Sequence, residues 1–386
     1  MKFIPYGHQW IDEEDIEEVV KVLKSDWITT GPKIEEFENA LCRYIGCKYA
    51  IAVNSGTSAL DIAVQALDLS KGSEVITTPF TFVATSNAII YNGLKPVFAD
   101  IKKETRNINP DEIKKKITEK TKAIIYVDYA GHPCDIEEIK EIAEGHDLYL
   151  IEDACHALGA EYKGKKTGNF ADMTIFSFHP VKHITTGEGG AVVTNNEEFL
   201  EILRMLRNHG IDKSTMERFG SKAGWAYDLK ILGRNYRITD FQAALGISQL
   251  KKMDRFIETR QYLAGLYNGL LGEVDFVKTP ITKENVKHAW HIYTVLLSGV
   301  NRDEFFSRMR ENGIGVNVHY IPIYRFSYYQ KNFNFNPKEL PVTEEVFSKI
   351  ITLPLFPRMS EKEVFYVIDA AKTKIDEVKS MRGSHE

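Results

Sequence analysis

Three short runs constrain this chain more than anything else in it. Pro96-Val-Phe-Ala-Asp100, Ala123-Ile-Ile-Tyr-Val-Asp128 and Leu148-Tyr-Leu-Ile-Glu-Asp153 are apolar at successive positions rather than alternate ones. A strand that is apolar on both faces must be covered on both, which is the situation of a parallel sheet between helical layers. The segments between them, Asp111–Ile117 and Ile136–Glu144, have helical spacing, as that arrangement requires. Upstream, Tyr49–Asn54 and Glu74–Thr78 read as strands, followed by helices from about Thr57 and from Phe82 to about Tyr91.

Beyond Asp172 two strands, Met173–Phe178 and Ala191–Thr194, flank the turn Thr185-Thr-Gly-Glu-Gly-Gly190, and a helix then ends near Asn208-His209-Gly210. The glycines run into a strand, whereas a dinucleotide fingerprint follows a strand and opens a helix, so a Rossmann reading is weak. From Thr239 a long helical pattern leads to a smaller part holding Ile292–Leu297, the helix Arg302–Asn312 and a strand Val316–His319. The expected fold is α/β: a mostly parallel-sheet large domain over residues 1–250 with an N-terminal arm, and a smaller C-terminal α+β domain over 251–386. The polar tail from Met381 to Glu386 reads as unstructured.

Composition removes several classes. No window of this 386-residue chain approaches the ~20 apolar residues of a membrane span. The net charge of −5 gives no global field for nucleic acid. Pro5 and Gly7 interrupt the start before an apolar stretch can develop, so no secretory signal is expected and the cytoplasm is the predicted compartment. Cys42, Cys47, Cys134 and Cys155 have neither a disulfide-framework nor a metal-ligand spacing, so reduced thiols and no metal are expected.

Asn54-Ser-Gly-Thr-Ser58 lies between a strand and a helix, where backbone amides and the Thr57 and Ser58 hydroxyls suit a phosphate at the positive end of a helix dipole. Taken alone, such a segment is more often just an N-cap on a tight turn. Asp153 ends an apolar strand, where open α/β sheets place their ligands, and Glu152 points to the opposite face; an N-cap or ion pair is the plain alternative. His156, taken alone, is more often a satisfied core histidine than a catalytic one. Lys182 follows the strand Ile175–Phe178 and, delivered into a cleft by that strand, can act as a Schiff-base amine rather than a surface charge. Phosphate turn, aspartate and lysine in that order are what pyridoxal phosphate chemistry needs: a phosphate cradle, a partner for the pyridine nitrogen and an amine.

The blocks Asn54-Ser-Gly-Thr-Ser-Ala59, Glu152-Asp-Ala-Cys-His-Ala-Leu-Gly159, Phe176-Ser-Phe-His-Pro-Val-Lys182, Thr185-Thr-Gly-Glu-Gly-Gly-Ala191 and Gly233-Arg-Asn-Tyr-Arg-Ile238 resemble the DegT/DnrJ/EryC1/StrS nucleotide-sugar aminotransferases over nearly the whole chain. Val127-Asp-Tyr-Ala-Gly131, Val318-His-Tyr-Ile-Pro-Ile-Tyr324 and Tyr328-Tyr-Gln330 are most similar to the members that aminate UDP-4-keto-6-deoxy-N-acetyl-L-altrosamine for pseudaminic acid. The resemblance implies a fold-type-I transferase that binds pyridoxal 5′-phosphate and is a homodimer with shared sites. By position it makes Lys182 the lysine that holds the cofactor covalently and Asp153 the partner of its ring nitrogen. His156 falls near the phenolic oxygen, and Phe82 over the ring face. Gly56, Thr57, Ser58 and Ser177 fall at the phosphate, with Asn235 reaching it from the other subunit. Some relatives have His at the lysine position and dehydrate sugars; Lys182 argues against that activity here.

The expected reaction moves an amino group from L-glutamate to C4 of a UDP-linked 4-keto-6-deoxy-N-acetylhexosamine, with Tyr6, Thr30, Gly31, Arg237, His319 and Tyr320 as substrate contacts. His319 and Tyr320 alternate on the expected strand, and Gly31-Pro32 is also a plain turn before a helix. The alternatives are a GDP-perosamine-type or other nucleotide-sugar aminotransferase, an amino-acid aminotransferase of small metabolites, and a non-catalytic sugar-binding regulator on the same scaffold.

Overall fold

The computed structural model describes residues 3–212 and 227–383. Its main sheet has seven strands: β1 (Tyr49–Val53), β2 (Glu74–Thr77), β3 (Lys95–Phe98), β4 (Thr121–Val127), β5 (Tyr149–Asp153), β6 (Met173–Ser177) and β7 (Gly190–Thr194). They lie in the order β1-β7-β6-β5-β4-β2-β3. Only β7 runs against its neighbours, pairing antiparallel with both β1 and β6. The parallel strands β4, β5 and β6 therefore end at one edge of the sheet.

The strands with apolar residues at successive positions are covered on both faces, as their composition requires. Ile51, Val53, Ile125, Ile151 and Ile175 enter one core with α3 (Gly56–Ala66), α4 (Val83–Tyr91) and α7 (Glu197–Arg207). Their neighbours Ala50, Ala52, Phe176 and Val193 enter a second core with α2 (Pro32–Ile45) and α8 (Asp240–Lys251), while Ile124, Tyr126 and Leu150 pack on α6 (Ile136–Gly145). Each buried isoleucine, leucine or valine among them contributes about 1.5–3 kcal/mol, so a charge at Ile151 or Ile175 would break the sheet.

A long helix, α9 (Met253–Leu271), leads to a smaller antiparallel sheet of β8 (Val277–Lys278), β9 (Tyr293–Leu297) and β10 (Ile350–Leu353). Its core holds Val295, Ile351 and Phe305, and Ile4 joins it from the N-terminal arm through backbone bonds to Gly313 and Gly315. A separate apolar cluster ties Phe80 and Tyr129 of the main sheet's edge to Ile292 and Leu296. That contact roofs the strand ends with residues from 291 and 317–320.

Two expectations change. Val316–His319 forms no regular strand and pairs only through Asn317 with Thr352. Side chains take its ladder groups: Asn317 Oδ1 accepts from Val318 N–H at 2.8 Å, and the His319 carbonyl accepts from Tyr129 Oη at 2.6 Å. The tail expected to be unstructured from Met381 instead continues a helix, Glu361–Gly383, and only 384–386 lie outside the described residues. No helix among the described residues is long and apolar enough to cross a membrane.

Candidate active site

A cavity of about 860 Å³ opens at the shared ends of β4, β5 and β6. Tyr6, Gly56, Thr57, Phe82, Asp153, His156, Ser177, Lys182, His319 and Tyr320, all singled out in the sequence, line it. Each arrives by a local rule. Ser55 is the N-cap of α3, its side chain accepting from Ser58 N–H at 3.0 Å, so the first amides of the helix face the cavity. A Cβ at Gly56 would stand 2.9 Å from Ser177 Cβ, so only glycine lets the β6 end approach this turn. Asp153 is the last residue of β5, and Lys182 follows β6 through a turn closed by Lys182 N–H to the His179 carbonyl at 2.8 Å.

Asp153 is 4% exposed and has no ion pair among the described residues. Its Oδ2 accepts from Thr85 Oγ1 at 2.7 Å, and its Oδ1 from the Cys155 N–H at 3.2 Å. A buried carboxylate held by neutral donors lacks a cation, and the wall it faces is open. Burial pulls the Lys182 ammonium below the ordinary lysine range, and the nearby Cys155 and Asp153 oppose that shift. Burial also drives the His156 imidazole well below its usual range, with the Lys182 charge adding to the effect, and lowers His319 to about 3. Both rings are therefore neutral. His156 Nδ1 accepts from Ala130 N–H at 3.3 Å, which places its proton on Nε2. That proton goes to Tyr320 Oη at 3.0 Å, leaving the tyrosine O–H free to donate into the cavity.

Some expected residues stand elsewhere. Ser58 is buried and its hydroxyl donates to Asn54 Oδ1 at 2.6 Å, so it closes the turn from behind and does not line the cavity. Glu152 does point to the opposite face, accepting from Gly168 N–H and Thr174 Oγ1. Thr30 and Arg237 line a second cavity of about 640 Å³ with Arg207, Asn208 and Lys230. Gly31 is tied away from the first cavity because its N–H donates to Asp240 Oδ2 at 2.8 Å, at the start of α8. Asn235 bridges to Asn208 beside the second cavity, and the adjoining Arg234 and Tyr236 bond Asp61 of α3. Phe82 is 57% exposed at the mouth of the first cavity.

Sequence reasoning passed over Thr85, His291 and Asn317, which also line the first cavity. Thr85 carried a signal, a hydroxyl in the first turn of a helix that follows a strand. His291 carried none, because its partner Lys182 is 109 residues away.

The residues present fit pyridoxal 5′-phosphate. Gly56 and Thr57 offer helix N-terminal amides beside the Ser177 hydroxyl for its phosphate, the unpaired Asp153 supplies the counter-charge for a protonated ring nitrogen, and Lys182 stands at the wall between. Sheet order, strand-end aspartate and cavity-lining lysine together define an aminotransferase of fold type I. Residues 9–372 match the DegT/DnrJ/EryC1/StrS aminotransferase family, and the chain belongs to it. It is 40% identical over 382 residues to the UDP-4-amino-4,6-dideoxy-N-acetyl-beta-L-altrosamine transaminase of Campylobacter jejuni, covering 97% of this chain and 98% of that one. To the spore coat polysaccharide biosynthesis protein SpsC of Bacillus subtilis it is 38% identical over 375 residues, 96% of each. Helicobacter pylori PseC, an aminotransferase involved in the biosynthesis of pseudoaminic acid, superposes with a TM-score of 0.91 at 35% identity over 97% of this chain and 100% of that one. The chain is thus a sugar aminotransferase.

Proposed function

We propose that the chain transfers the amino group of L-glutamate to C4 of a UDP-linked 4-keto-6-deoxy-N-acetylhexosamine, in two half-reactions with 2-oxoglutarate leaving before the sugar enters. The observation that carries the chemistry is a buried, ion-pair-free Asp153 sharing one cavity with a partly buried Lys182 of lowered basicity. Bound there, pyridoxal 5′-phosphate would act as the electron sink that makes the carbon bearing the transferred amine acidic. Lys182 Nζ, weakened as a base by burial, moves the proton at that carbon in both half-reactions. Asp153, locked by Thr85, keeps its negative charge aimed at the ring nitrogen. The N-terminal amides of α3 would hold the phosphate, and the Tyr320 O–H, set as a donor by His156, is available to an oxygen of cofactor or sugar.

The choice of sugar is supported by the relatives whose names carry altrosamine and pseudoaminic acid. Tyr6, His319 and Tyr320 present aromatic and polar groups at the cavity wall, with the Tyr6 and His319 rings 5.3 Å apart. Thr30, Arg237 and Asn235 serve the neighbouring site of a homodimer. The exposed Trp27, Ile28, Leu229 and Leu232 give that face the apolar surface an interface needs.

The test is a panel of three ketosugars, the UDP-linked L-altro and D-gluco forms and the GDP-linked sugar that leads to perosamine, each with glutamate in excess and the product identified by mass spectrometry and NMR. Amination of the L-altro form in preference to the others is expected. Amination of the GDP-sugar alone would overturn the substrate while leaving the aminotransferase intact. A chain that takes up the cofactor but releases no keto acid from any amino donor would be a binder, not an enzyme.

A further inference from the structure

Three imidazoles, His156, His183 and His291, crowd the wall behind Lys182, and two of them have their tautomer fixed by a backbone group. His156 Nδ1 accepts from Ala130 N–H, and His183 Nε2 donates to the Ala289 carbonyl at 3.0 Å. His291 has no such partner. Its Nδ1 is buried without a hydrogen bond, and its Nε2 meets one group among the described residues, Lys182 Nζ at 3.4 Å.

The ring is placed with care for a group so poorly satisfied. The His291 backbone N–H donates to the Ala130 carbonyl at 2.8 Å, and buried Arg260 donates through Nη1 to the carbonyls of Trp290, His291 and Leu355. Gly131 completes the seat, since a Cβ there would stand 2.9 Å from Trp290 N and 3.1 Å from His291 N. An apolar ring in the same seat would leave no nitrogen unpaired, so packing does not account for an imidazole here.

We propose that His291 is a positioning residue for Lys182: its neutral imidazole accepts a hydrogen bond from the Lys182 ammonium through Nε2 and holds that group at the cavity wall whenever it is not bonded to a ligand. The structure supports the neutral form, because burial first, and the charge of Lys182 second, keep His291 well below the usual histidine range. A lysine that is released and recaptured in each catalytic cycle has four flexible carbons to swing on, and a fixed acceptor shortens its search. The bond also favours the ammonium over the amine and so opposes the loss of basicity that burial imposes.

The inference rests on the proposed role of Lys182, but the experiment reads Lys182 on the full chain without cofactor, so its failure is separable from failure of the function. The pH dependence of Lys182 acetylation by acetic anhydride, followed by peptide mass spectrometry, gives the midpoint of its ionisation. The groups that face Lys182 and His291 are Asp153, Cys155, His156, His183, His319 and Arg260, and all stay in place in the variants. His291→Phe should lower the midpoint by roughly one unit, the worth of one hydrogen bond to a charged group. His291→Gln, whose amide oxygen stands where Nε2 does, should restore it. Attachment of pyridoxal 5′-phosphate, timed by its absorbance at saturating concentration, should slow in the Phe variant and recover in the Gln variant. An unchanged or raised midpoint in a folded His291→Phe, or in His291→Leu where the Phe variant does not fold, would overturn the proposal. Failure of Gln to restore a midpoint that Phe had lowered would overturn it as well.

Discussion

Gly190 opens β7 and lies against the turn that begins α3, so a single methyl there tests whether that turn is the phosphate cradle. A Cβ on Gly190 would stand 2.5 Å from the Ser55 carbonyl oxygen, 2.6 Å from its carbon and 2.7 Å from the Gly56 nitrogen. All three are backbone atoms and cannot rotate away. Ordinary contact starts near 3.4 Å, so strand and turn would have to part by about 0.9 Å. An amide bonded to phosphate at ~2.9 Å and displaced by that much leaves hydrogen-bonding range. Losing one hydrogen bond to a charged group costs about 1.5–3 kcal/mol, roughly tenfold to a hundredfold in Kd. Overpacking should cost the fold about 1–3 kcal/mol. Gly187, three residues earlier in the turn that leads into β7, is the control: it has φ 81° and nothing within 4 Å of its would-be Cβ. Gly187→Ala should lose about 1–2 kcal/mol of stability to backbone strain and no cofactor affinity. Titration of the cofactor-free chain with pyridoxal 5′-phosphate by absorbance, beside thermal melting, measures both quantities. Wild-type affinity in a folded Gly190→Ala chain, or an equal loss in Gly187→Ala, would refute the reasoning.

Thr85→Val removes the hydroxyl that locks Asp153 Oδ2 and leaves a buried carboxylate oxygen short of a donor, so a loss of about 1.5–3 kcal/mol in stability is expected with a fall in kcat, read by urea unfolding and steady-state kinetics. Acid should destabilise the chain early. His319 is lowered from 6.5 to about 3, so the unfolded state binds the proton first, and stability falls as pH drops below 6.5 until the folded pKa is reached. His319 alone costs about 1.4 kcal/mol at pH 5.5, and His156, His183, His288 and His291 act in the same direction. Urea midpoints that stay flat from pH 7.5 to 5.5 would contradict this. Mixing inactive Lys182→Ala with inactive Asn235→Ala chains should restore activity in the heterodimer, because one of its two sites then has both residues; no recovery, with subunit exchange verified by mass, would show that the sites are not shared.

The layered sheet could be read from local spacing because burial on two faces leaves its mark within five or six consecutive residues. The apolar runs ending in Asp128 and Asp153 therefore announced parallel strands, and a parallel sheet brings its strand ends, with Asp153 and the segment to Lys182, to one edge. Side-chain direction within a turn is a different matter. Ser58 reads as a phosphate ligand until the backbone shows it hydrogen-bonded to Asn54 behind the cradle. Thr30 and Gly31 look free until Asp240, more than 200 residues on, is found holding the turn. Val316–His319 has the alternation of a strand, yet Tyr129 and the Asn317 side chain claim its backbone groups. The contacts Thr85 to Asp153 and His291 to Lys182 join residues 68 and 109 apart, and nothing near either one signals the other. Periodicity reports whether a residue is buried; which group it meets there depends on strand order and on how the terminal sheet closes over the strand ends, and those are properties of the whole chain's packing.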